Sequence, residues 1–375
     1  MESWLVPSKD YARQYRALLP ELRELLERTL LASEPVLGTP VDEFERAFAA
    51  YLGRRHVVGV NSGTDALVLA LKLLDLRPGD EVVTAANTFF ATVTAILMAG
   101  GTPVLVDPDP HTMNLTADGV RAALGPRTRA ILPVHLYGRA APADELATLC
   151  RARGLALVED VAQAHGARLA DGRRTGAAGA CGCFSFHPSK NLGAFGDGGA
   201  VALDDDGHAE ELRARRNLGK VGEHAARYVS GNSKLDTLQA ALLLLKLRHL
   251  DASNARRREL ARLYRERLAG VEELTLPEDA AHDGHVYHLF VVRCDRRDAL
   301  REHLAARGIK ASVHYPIPPH LQELEHDLGY RAGDFPVAEA LARTVLSLPV
   351  SPELEEREVE LVCDGVRDFF TGQRP

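Results

Sequence analysis

The chain has 375 residues, of which 46% are hydrophobic and 26% charged, a composition typical of a folded globular protein with room for two domains. Its 45 basic and 52 acidic side chains give a formal net charge of -7, which offers no basis for nonspecific binding to nucleic acid. The N-terminus lacks the basic flank and apolar block of a signal peptide, and the longest apolar run, LQAALLLLKL from Leu238, is too short to cross a bilayer. We therefore expect a cytoplasmic protein without nucleic-acid or membrane partners.

Apolar residues at helical spacing predict two helices at the start of the chain, over residues 16–31 and 41–52. From HVVGV near Val58 to LALVED, which ends at Asp160, short strands then alternate with helices, and the strands are apolar on both faces. This order predicts an α/β fold in which a mostly parallel sheet lies between helices. Sheets of this kind bind ligands at the carboxyl ends of their strands.

The alternation stops after the strand GAVAL at Gly199. Three helices follow, over HAEELRARRNLG, from about Leu235 and from Asn254. Beyond Gly270, two strands (VYHLFVVRC and KASVHYP) and two helices (DALREHLAARG and residues 352–370) predict a smaller α+β domain. We place the boundary at residue 250, which gives a large domain over 1–250 and a small domain over 251–375.

Five cysteines are scattered along the chain, and an odd, dispersed set does not indicate a disulfide framework. Cys181 and Cys183 are one residue apart, which places both on one face of a strand. We interpret both as small core residues and expect no metal site.

The segment NSGTDAL lies between the strand HVVGV and a helix. Ser62, Gly63 and Thr64 would place two hydroxyl groups and an unobstructed backbone at the helix N-terminus, which suits a phosphate group. Serine and threonine are also ordinary helix N-caps. The segment alone leaves both interpretations open.

Two acidic residues, Glu159 and Asp160, end the apolar strand in LALVED. A carboxylate at the carboxyl edge of a sheet can hold a cationic atom of a ligand, and it can equally cap the helix that follows.

A lysine in an unusual setting, Lys190, occurs in FSFHPSKNLGAFGDGGA. An apolar pocket would lower its pKa, and a neutral amine is the form that attacks a carbonyl group. The alternative is a surface lysine whose stem covers apolar surface. The glycines that follow are predicted to allow tight backbone turns; they are Gly193, Gly196, Gly198 and Gly199.

A phosphate cradle, a carboxylate at a strand end and a lysine in a pocket are together the parts that hold pyridoxal phosphate. The phosphate would lie on the helix N-terminus, Asp160 against the pyridine nitrogen and Lys190 on the aldehyde. By keeping the ring nitrogen protonated, Asp160 would make the ring an electron sink. Phe89 or Phe90, at another junction between strand and helix, could cover the ring.

Six segments in chain order resemble the DegT/DnrJ/StrS-type nucleotide-sugar aminotransferases, over nearly the whole chain: NSGTDAL, NTFFATV, VEDVAQAHGA, FSFHPSKNLGAFGDGGA, GNSKLDTLQAA and VHYPIPPHL. The resemblance implies the fold of aspartate aminotransferase, fold type I of the pyridoxal phosphate enzymes. It also implies that Lys190 links to the cofactor and then shuttles the proton, that Asp160 pairs with the ring nitrogen, that Gln163 lies near the ring's phenolic oxygen and that Phe89 stacks on the ring.

The resemblance further implies a homodimer with shared active sites. Gly63, Thr64 and Ser185 would bind the phosphate together with Asn232 of the neighbouring subunit. His314 and Tyr315, in VHYP, would line the sugar pocket. His187 would contact substrate or serve as a structural histidine, and the sequence leaves both roles open.

The runs NLGAFGDGG and SGTDAL resemble family members that act on a 3-oxo sugar. The implied reaction moves the amino group of L-glutamate to a dTDP-linked 3-oxo-6-deoxyhexose and gives a 3-amino-3,6-dideoxyhexose for natural-product or surface-glycan biosynthesis. Alternatives are a UDP-linked 3-oxo uronic acid and a 4-keto sugar. Arg216 and Arg227 are candidates for binding the carboxylates of glutamate, and Ser351 stands where many relatives have a histidine.

Two readings from other classes are weaker. A non-catalytic regulator on the same fold would not need Asp160, Gln163 and Lys190 together, and a basic recognition segment is lacking. A lysine aldolase without pyridoxal phosphate would have no use for the phosphate cradle.

Overall fold

The computed structural model describes residues 4–324 and 328–372. The helices in these ranges are α1 (Tyr11–Leu31), α2 (Thr39–Leu52), α3 (Gly63–Lys72), α4 (Phe90–Met98), α5 (Ala117–Ala123), α6 (Ala143–Arg153), α7 (Asp206–Arg215), α8 (Thr237–Leu247), α9 (Leu250–Leu268), α10 (Arg297–Ala306), α11 (Pro336–Thr344) and α12 (Glu356–Thr371). The strands are β1 (His56–Val60), β2 (Glu81–Ala85), β3 (Thr102–Val106), β4 (Thr128–Leu132), β5 (Ala156–Asp160), β6 (Cys181–Ser185), β7 (Gly199–Leu203), β8 (Lys220–Val221), β9 (Ala225–Ala226), β10 (Phe290–Arg293) and β11 (Val345–Leu348).

Seven strands form the central sheet in the order β1-β7-β6-β5-β4-β2-β3. Of these seven, β7 alone runs antiparallel to its neighbours, β1 and β6. The predicted α/β fold with a mostly parallel sheet between helices is confirmed. Because β1, β2, β5 and β6 all point the same way, their carboxyl ends lie along one edge of the sheet.

The helix after β1 is fixed at this edge by its sequence. Ser62 is the N-cap of α3, and its hydroxyl accepts a hydrogen bond of 3.0 Å from the amide of Asp65. Every residue from Ala66 to Leu71 is buried, because α3 packs against β6 and β7 on one side and α4 on another. Burial of this apolar helix anchors its N-terminus at the end of the strand.

A second hydrophobic core lies in the C-terminal part of the chain, among α9, α10, α12 and the antiparallel pair β10 and β11. It also takes in Val6 from the N-terminal segment, which hydrogen-bonds with Gly308 and Lys310. The proposed domain boundary at residue 250 coincides with the first residue of α9. The division into two domains remains a prediction.

The strand prediction for KASVHYP is wrong. The segment makes one isolated bridge, between Ser312 and Ser347, and Lys310 donates its amide to Val6 instead. The alternating pattern indicated an extended segment. Two different segments hydrogen-bond with it, and neither contact is long enough to form a β-ladder. The helices α5 and α11 and the strands β8, β9 and β11 were not predicted.

All five cysteines are buried and free, in agreement with the interpretation of Cys181 and Cys183 as core residues. Within the described ranges, none of the helices combines the length and the apolar character that crossing a membrane requires.

Candidate active site

A cavity of about 310 Å³ opens at the carboxyl edge of the sheet. It collects ten of the side chains and backbone positions predicted from the sequence, contributed by segments far apart in the chain. They are Ser62, Gly63, Thr64, Phe89, Asp160, Gln163, Ser185, His187, Lys190 and Tyr315.

At one end of the cavity the chain approaches itself too closely for a side chain at Gly63. A Cβ atom there would lie 2.5 Å from the Cβ of Ser185. The first amides of a helix have no acceptor within the helix. Because Gly63 has no side chain, the amides of Gly63 and Thr64 are left open to an anion. The Ser62 hydroxyl lines the same end while it caps α3.

The glycines after Lys190 were predicted to allow tight turns, but Gly199 serves a close approach of two segments instead. At Gly199, a Cβ atom would lie 2.2 Å from the carbonyl oxygen of Ser62. The start of β7 can therefore lie directly beneath the N-terminus of α3, which supports the phosphate end of the cavity.

Asp160 and Glu159 have different roles although they are adjacent. Glu159 is fully buried beside His135 and accepts hydrogen bonds from three amides of the 176–179 loop. Burial acts to raise the pKa of Glu159, but the hydrogen bond and charge of His135, together with the amide hydrogen bonds, outweigh it, so its pKa is lowered. Glu159 therefore holds the loop, and the carboxylate available to a ligand is Asp160.

The Asp160 carboxylate is 5% exposed and faces the cavity. It accepts hydrogen bonds from the Thr92 hydroxyl (2.9 Å) and from the Ala162 amide (3.1 Å). Burial raises its pKa, and these two donors and the charge of Lys190 oppose the rise. A buried carboxylate held mainly by neutral donors is stabilised in its ionised form by a cationic group brought close to it.

The Lys190 side chain lines the cavity, so it is not the surface lysine of the alternative interpretation. Burial lowers its pKa to about 8, and the charge of Asp160 partly offsets this. Within the part of the chain that the structure describes, its Nζ has no hydrogen-bond partner. A substantial fraction of the amine is therefore neutral and nucleophilic near pH 8.

Gln163 and Tyr315 are joined across the cavity. The Gln163 amide donates to the Tyr315 hydroxyl at 3.0 Å, and its oxygen accepts from the Tyr137 amide at 2.7 Å. The ring of Phe89 lies 5.1 Å from the ring of Tyr315. Phe89 lines the cavity and Phe90 does not, which favours Phe89 as the residue that would cover the ring.

His187 lies at the cavity and is also held in a local hydrogen bond. Its Nδ1 accepts from the amide of Ser189 at 3.2 Å and lies 2.9 Å from the hydroxyl of the same residue. Burial and the charge of Lys190 lower its pKa, which favours the neutral imidazole.

Two predicted residues lie outside this cavity. His314 lines a neighbouring cavity, with its Nδ1 2.9 Å from the Ser347 hydroxyl. Asn232 is exposed in a loop that pairs with Asn217, a position compatible with its predicted role in a neighbouring subunit.

The two arginine candidates for the glutamate carboxylates are placed elsewhere, which corrects the expectation for Arg216. Arg216 is buried and forms an ion pair with Glu45, and it also donates to the Gly59 carbonyl at 3.0 Å. Arg227 is exposed beside the short hairpin of β8 and β9. Ser351 is buried, outside the cavity.

Sequence reasoning missed several residues of the cavity. Thr92 holds Asp160, and its hydroxyl lies 2.8 Å from that of Thr88. Thr88 precedes the N-cap of α4 and Thr92 lies in its first turn, so their contact does not follow from helical spacing and no clear signal in the sequence indicated it. Asp197 and Ser189 also line the cavity, and both belong to the quoted lysine segment.

The geometry allows a test of whether pyridoxal phosphate fits. The N-terminus of α3 and Ser185 line one end of the cavity and suit the phosphate; Asp160 is a buried carboxylate without a full cationic partner; and Lys190 is an amine of lowered pKa in the same cavity. The residues present fit the cofactor. Fold and site together define the class of fold-type-I pyridoxal phosphate enzymes, and they leave no role for an aldolase that lacks the cofactor.

The chain belongs to the DegT/DnrJ/EryC1/StrS aminotransferase family, whose sequence profile matches residues 19–367. This membership confirms the resemblance, the enzyme class and the cofactor, because members of the family are aminotransferases that use pyridoxal phosphate.

Among its relatives, the dTDP-3-amino-3,4,6-trideoxy-alpha-D-glucose transaminase of Streptomyces venezuelae is 46% identical, over 97% of this chain and 96% of the relative. The UDP-N-acetyl-3-dehydro-alpha-D-glucosamine 3-aminotransferase of Acidithiobacillus ferrooxidans is 41% identical, over 98% of both chains. The crystal structure of S. venezuelae DesV in complex with a ketimine intermediate superposes with a TM-score of 0.94, at 46% identity and 99% coverage of both chains.

Proposed function

We propose that the protein transfers the amino group of L-glutamate to the C3 ketone of a dTDP-linked 3-oxo-6-deoxyhexose, giving a 3-amino-3,6-dideoxyhexose. The observation that carries the proposal is the cavity that joins Lys190, Asp160 and the bare backbone at Gly63. The activities of two relatives support the choice of C3, since the S. venezuelae and A. ferrooxidans enzymes are both 3-aminotransferases of nucleotide sugars.

The roles of the chain's own residues follow from their positions. Lys190, whose pKa is about 8, would take a proton from the α-carbon of the amino donor in the first half-reaction. In the second half-reaction it would give a proton to C3 of the sugar. Asp160 would hold the proton on the ring nitrogen of the cofactor, and Thr92 and Ala162 would hold Asp160 in place. Pyridoxal phosphate supplies, when bound, the electron sink that stabilises the carbanion.

The remaining side chains would orient and enclose the reactants. The first turn of α3 and Ser185 would bind the phosphate group. Gln163 would lie near the ring's phenolic oxygen, Phe89 would cover the ring, and Tyr315 would exclude water from the same side. His187 lines this cavity and His314 the adjoining one, so both are placed for contact with the sugar nucleotide.

The proposal includes a homodimer in which Asn232 completes the phosphate site of the neighbouring subunit. Its support is the exposure of Asn232, together with exposed apolar side chains nearby, such as Leu218 and Val229. The proposed location is the cytoplasm, which suits a chain whose five cysteines are all free.

The test is a reaction of the purified, cofactor-loaded protein with L-glutamate and dTDP-3-oxo-6-deoxyhexose. We expect equal amounts of 2-oxoglutarate and of the 3-amino sugar, identified by mass spectrometry and NMR, and none with the Lys190→Ala variant. Parallel reactions use a UDP-linked 3-oxo uronic acid and a dTDP-linked 4-oxo sugar. Higher kcat/KM with either of these would contradict the assignment of the acceptor, and no amino transfer to any of them would contradict the proposed function.

A further inference from the structure

A second cavity, of about 410 Å³, adjoins the cofactor cavity and shares Ser189 with it. Its walls come from the N-terminal segment, from β11 and from the segment that leads to His314. Ser189 directly precedes Lys190 in the chain, so the second cavity lies next to the reacting lysine.

The cavity contains two lysines. The ammonium of Lys9 donates a hydrogen bond to the carbonyl of Ser189, and the exposed Lys310 also lines the cavity, near the ring of Trp4. Lys9 and His314 line the same cavity, and the charges of Lys190 and Lys9 both lower the pKa of His314.

The charges around Lys9 are poorly balanced. Among the described residues that line the cavity there is no carboxylate. Burial and three nearby cations, Arg257, Lys190 and Lys246, lower the pKa of Lys9 well below its usual value, and one carboxylate, that of Glu353, opposes them. An anion in the cavity would stabilise the ammonium form of Lys9.

The remaining polar groups of the cavity are hydrogen-bonding groups without charge. Burial, with the two lysines, lowers the pKa of His314 to about 4, so this imidazole is neutral. It lies 2.9 Å from the hydroxyl of Ser347, and the hydroxyl of Ser312 lines the cavity as well. Hydroxyl groups and ammonium groups are the donors that bind carboxylate and phosphate oxygens.

We propose that this second cavity is a subsite for the non-reacting anionic group of a substrate, with Lys9 as its main cation and Lys310 at its edge. The inference rests on the proposed function. Two groups share the required chemistry: the side-chain carboxylate of the amino donor and the diphosphate of the sugar nucleotide. Both are anions that lie several bonds from the reacting carbon.

The experiment measures the two half-reactions separately in the cofactor-loaded protein, from the change in cofactor absorption. Wild type is compared with Lys9→Met, Lys310→Met and Lys9→Arg. Lys72→Met is the matched control, because it removes the same charge at the far end of α3. The donor half-reaction uses L-glutamate and, as its uncharged counterpart, L-glutamine; the acceptor half-reaction uses the nucleotide-linked amino sugar.

If the subsite binds the donor, Lys9→Met raises the KM for L-glutamate about tenfold or more and leaves that for L-glutamine unchanged. If it binds the acceptor, the KM for the sugar nucleotide rises by a similar factor and L-glutamate is unaffected. Lys310→Met should give a smaller change in the same half-reaction, and Lys9→Arg should retain most of the affinity. Values within twofold of wild type in both half-reactions would overturn the proposal.

Calorimetric titration with glutarate and with inorganic pyrophosphate gives a readout that does not need turnover. Lys9→Met should weaken one of the two probes about tenfold, whereas the Lys72→Met control should not. Equal affinities in all variants would overturn the subsite.

A wild-type protein that binds a probe but does not react with L-glutamate would instead contradict the proposed function, so the two failures are distinguishable. If Lys9→Met does not fold, Lys310→Met, which changes an exposed side chain, carries the same test.

Discussion

Lys190 and Asp160 carry opposite charges in one cavity, and each moves the pKa of the other toward its ordinary value. Burial acts against both charges and is the larger effect in each case. The pKa of Asp160 therefore stays above that of a free aspartate in water, and the pKa of Lys190 stays below that of a free lysine. Perturbed ionisable groups of this kind are typical of sites that do chemistry.

Replacement of Asp160 by asparagine tests its role at the ring nitrogen. The amide keeps the size of the carboxylate and can still accept from Thr92, so the fold should persist. We expect kcat for the complete reaction to fall more than tenfold, equivalent to a barrier higher by about 1.4 kcal/mol or more, because the ring nitrogen loses its anionic partner. Steady-state kinetics of the loaded enzyme measures this, and a smaller loss would show that Asp160 does not act on the nitrogen.

Lys190 should make the cofactor-free protein less stable. Its pKa is about 8 in the fold and about 10.4 in the unfolded chain, so between these values the unfolded chain binds more protons and stability rises with pH. We expect Lys190→Met to raise the free energy of unfolding by up to about 3 kcal/mol below pH 8, and the gain to shrink as the pH approaches 10.4. Denaturant unfolding across pH 7 to 10 checks this. A gain that does not change with pH would contradict the shifted pKa.

At the scale of elements, the site depends on where α3 begins. The N-cap at Ser62, the bare backbone at Gly63 and the start of β7 at Gly199 bring three segments into contact where no side chain fits. The segment NSGTDAL predicted the helix N-terminus, which the structure has at Gly63, and by itself left the anion site and the ordinary N-cap both open. It could not show that Ser185 and Ser62 are the residues that exclude a Cβ, because those contacts arise only when β7 pairs with both β1 and β6.

Gly63→Ala tests this contact. The new Cβ would lie 2.5 Å from that of Ser185, so α3 or β6 must shift. We expect the Kd for pyridoxal phosphate to rise at least tenfold, and titration followed by cofactor absorption measures it. Gly207→Ala, in α7, is the control, since the nearest atom to its Cβ is 3.3 Å away at the end of the Asp205 side chain. An unchanged Kd in Gly63→Ala would argue against a phosphate at this helix N-terminus.

The sequence identified most elements of the sheet because their apolar runs are continuous and their turns are marked by glycine and proline. It failed for KASVHYP, where the pattern of a strand is present but a continuous partner is not, and it missed β11, the strand that supplies the partner at Ser347. Pairing across the small domain is a long-range property. Local periodicity does not contain it.

At the scale of the whole molecule, the ten predicted residues that meet in one cavity come from both halves of the chain, with Tyr315 beyond the proposed boundary. Arg216 shows the limit of the sequence. Nothing in its neighbourhood along the chain indicates that Glu45, 171 positions away, neutralises it inside the fold. Charged side chains in a sequence are assigned to ligands or to ion pairs only by tertiary contacts.

The proposed homodimer with shared sites predicts complementation between subunits. Lys190→Ala removes the amine, and Asn232→Asp places a negative charge where the partner's phosphate would bind, so each variant alone should be nearly inactive. In a mixed dimer one of the two sites receives neither change, and we expect up to about half of wild-type activity per heterodimer. Unfolding and refolding the two variants together, with each alone as control, provides the measurement. Absence of recovery in a confirmed heterodimer would contradict a contribution of Asn232 across the interface.

The absorption spectrum of the purified protein, recorded before and after addition of L-glutamate, tests the central claim most directly. We predict a visible band from the cofactor linked to Lys190, and its replacement by a near-ultraviolet band when the cofactor accepts the amino group. Lys190→Ala should lack the visible band of the lysine-linked cofactor. A protein that remains colourless after addition of pyridoxal phosphate, or a coloured protein whose spectrum does not respond to L-glutamate, would contradict the assignment of this site to amino transfer from glutamate.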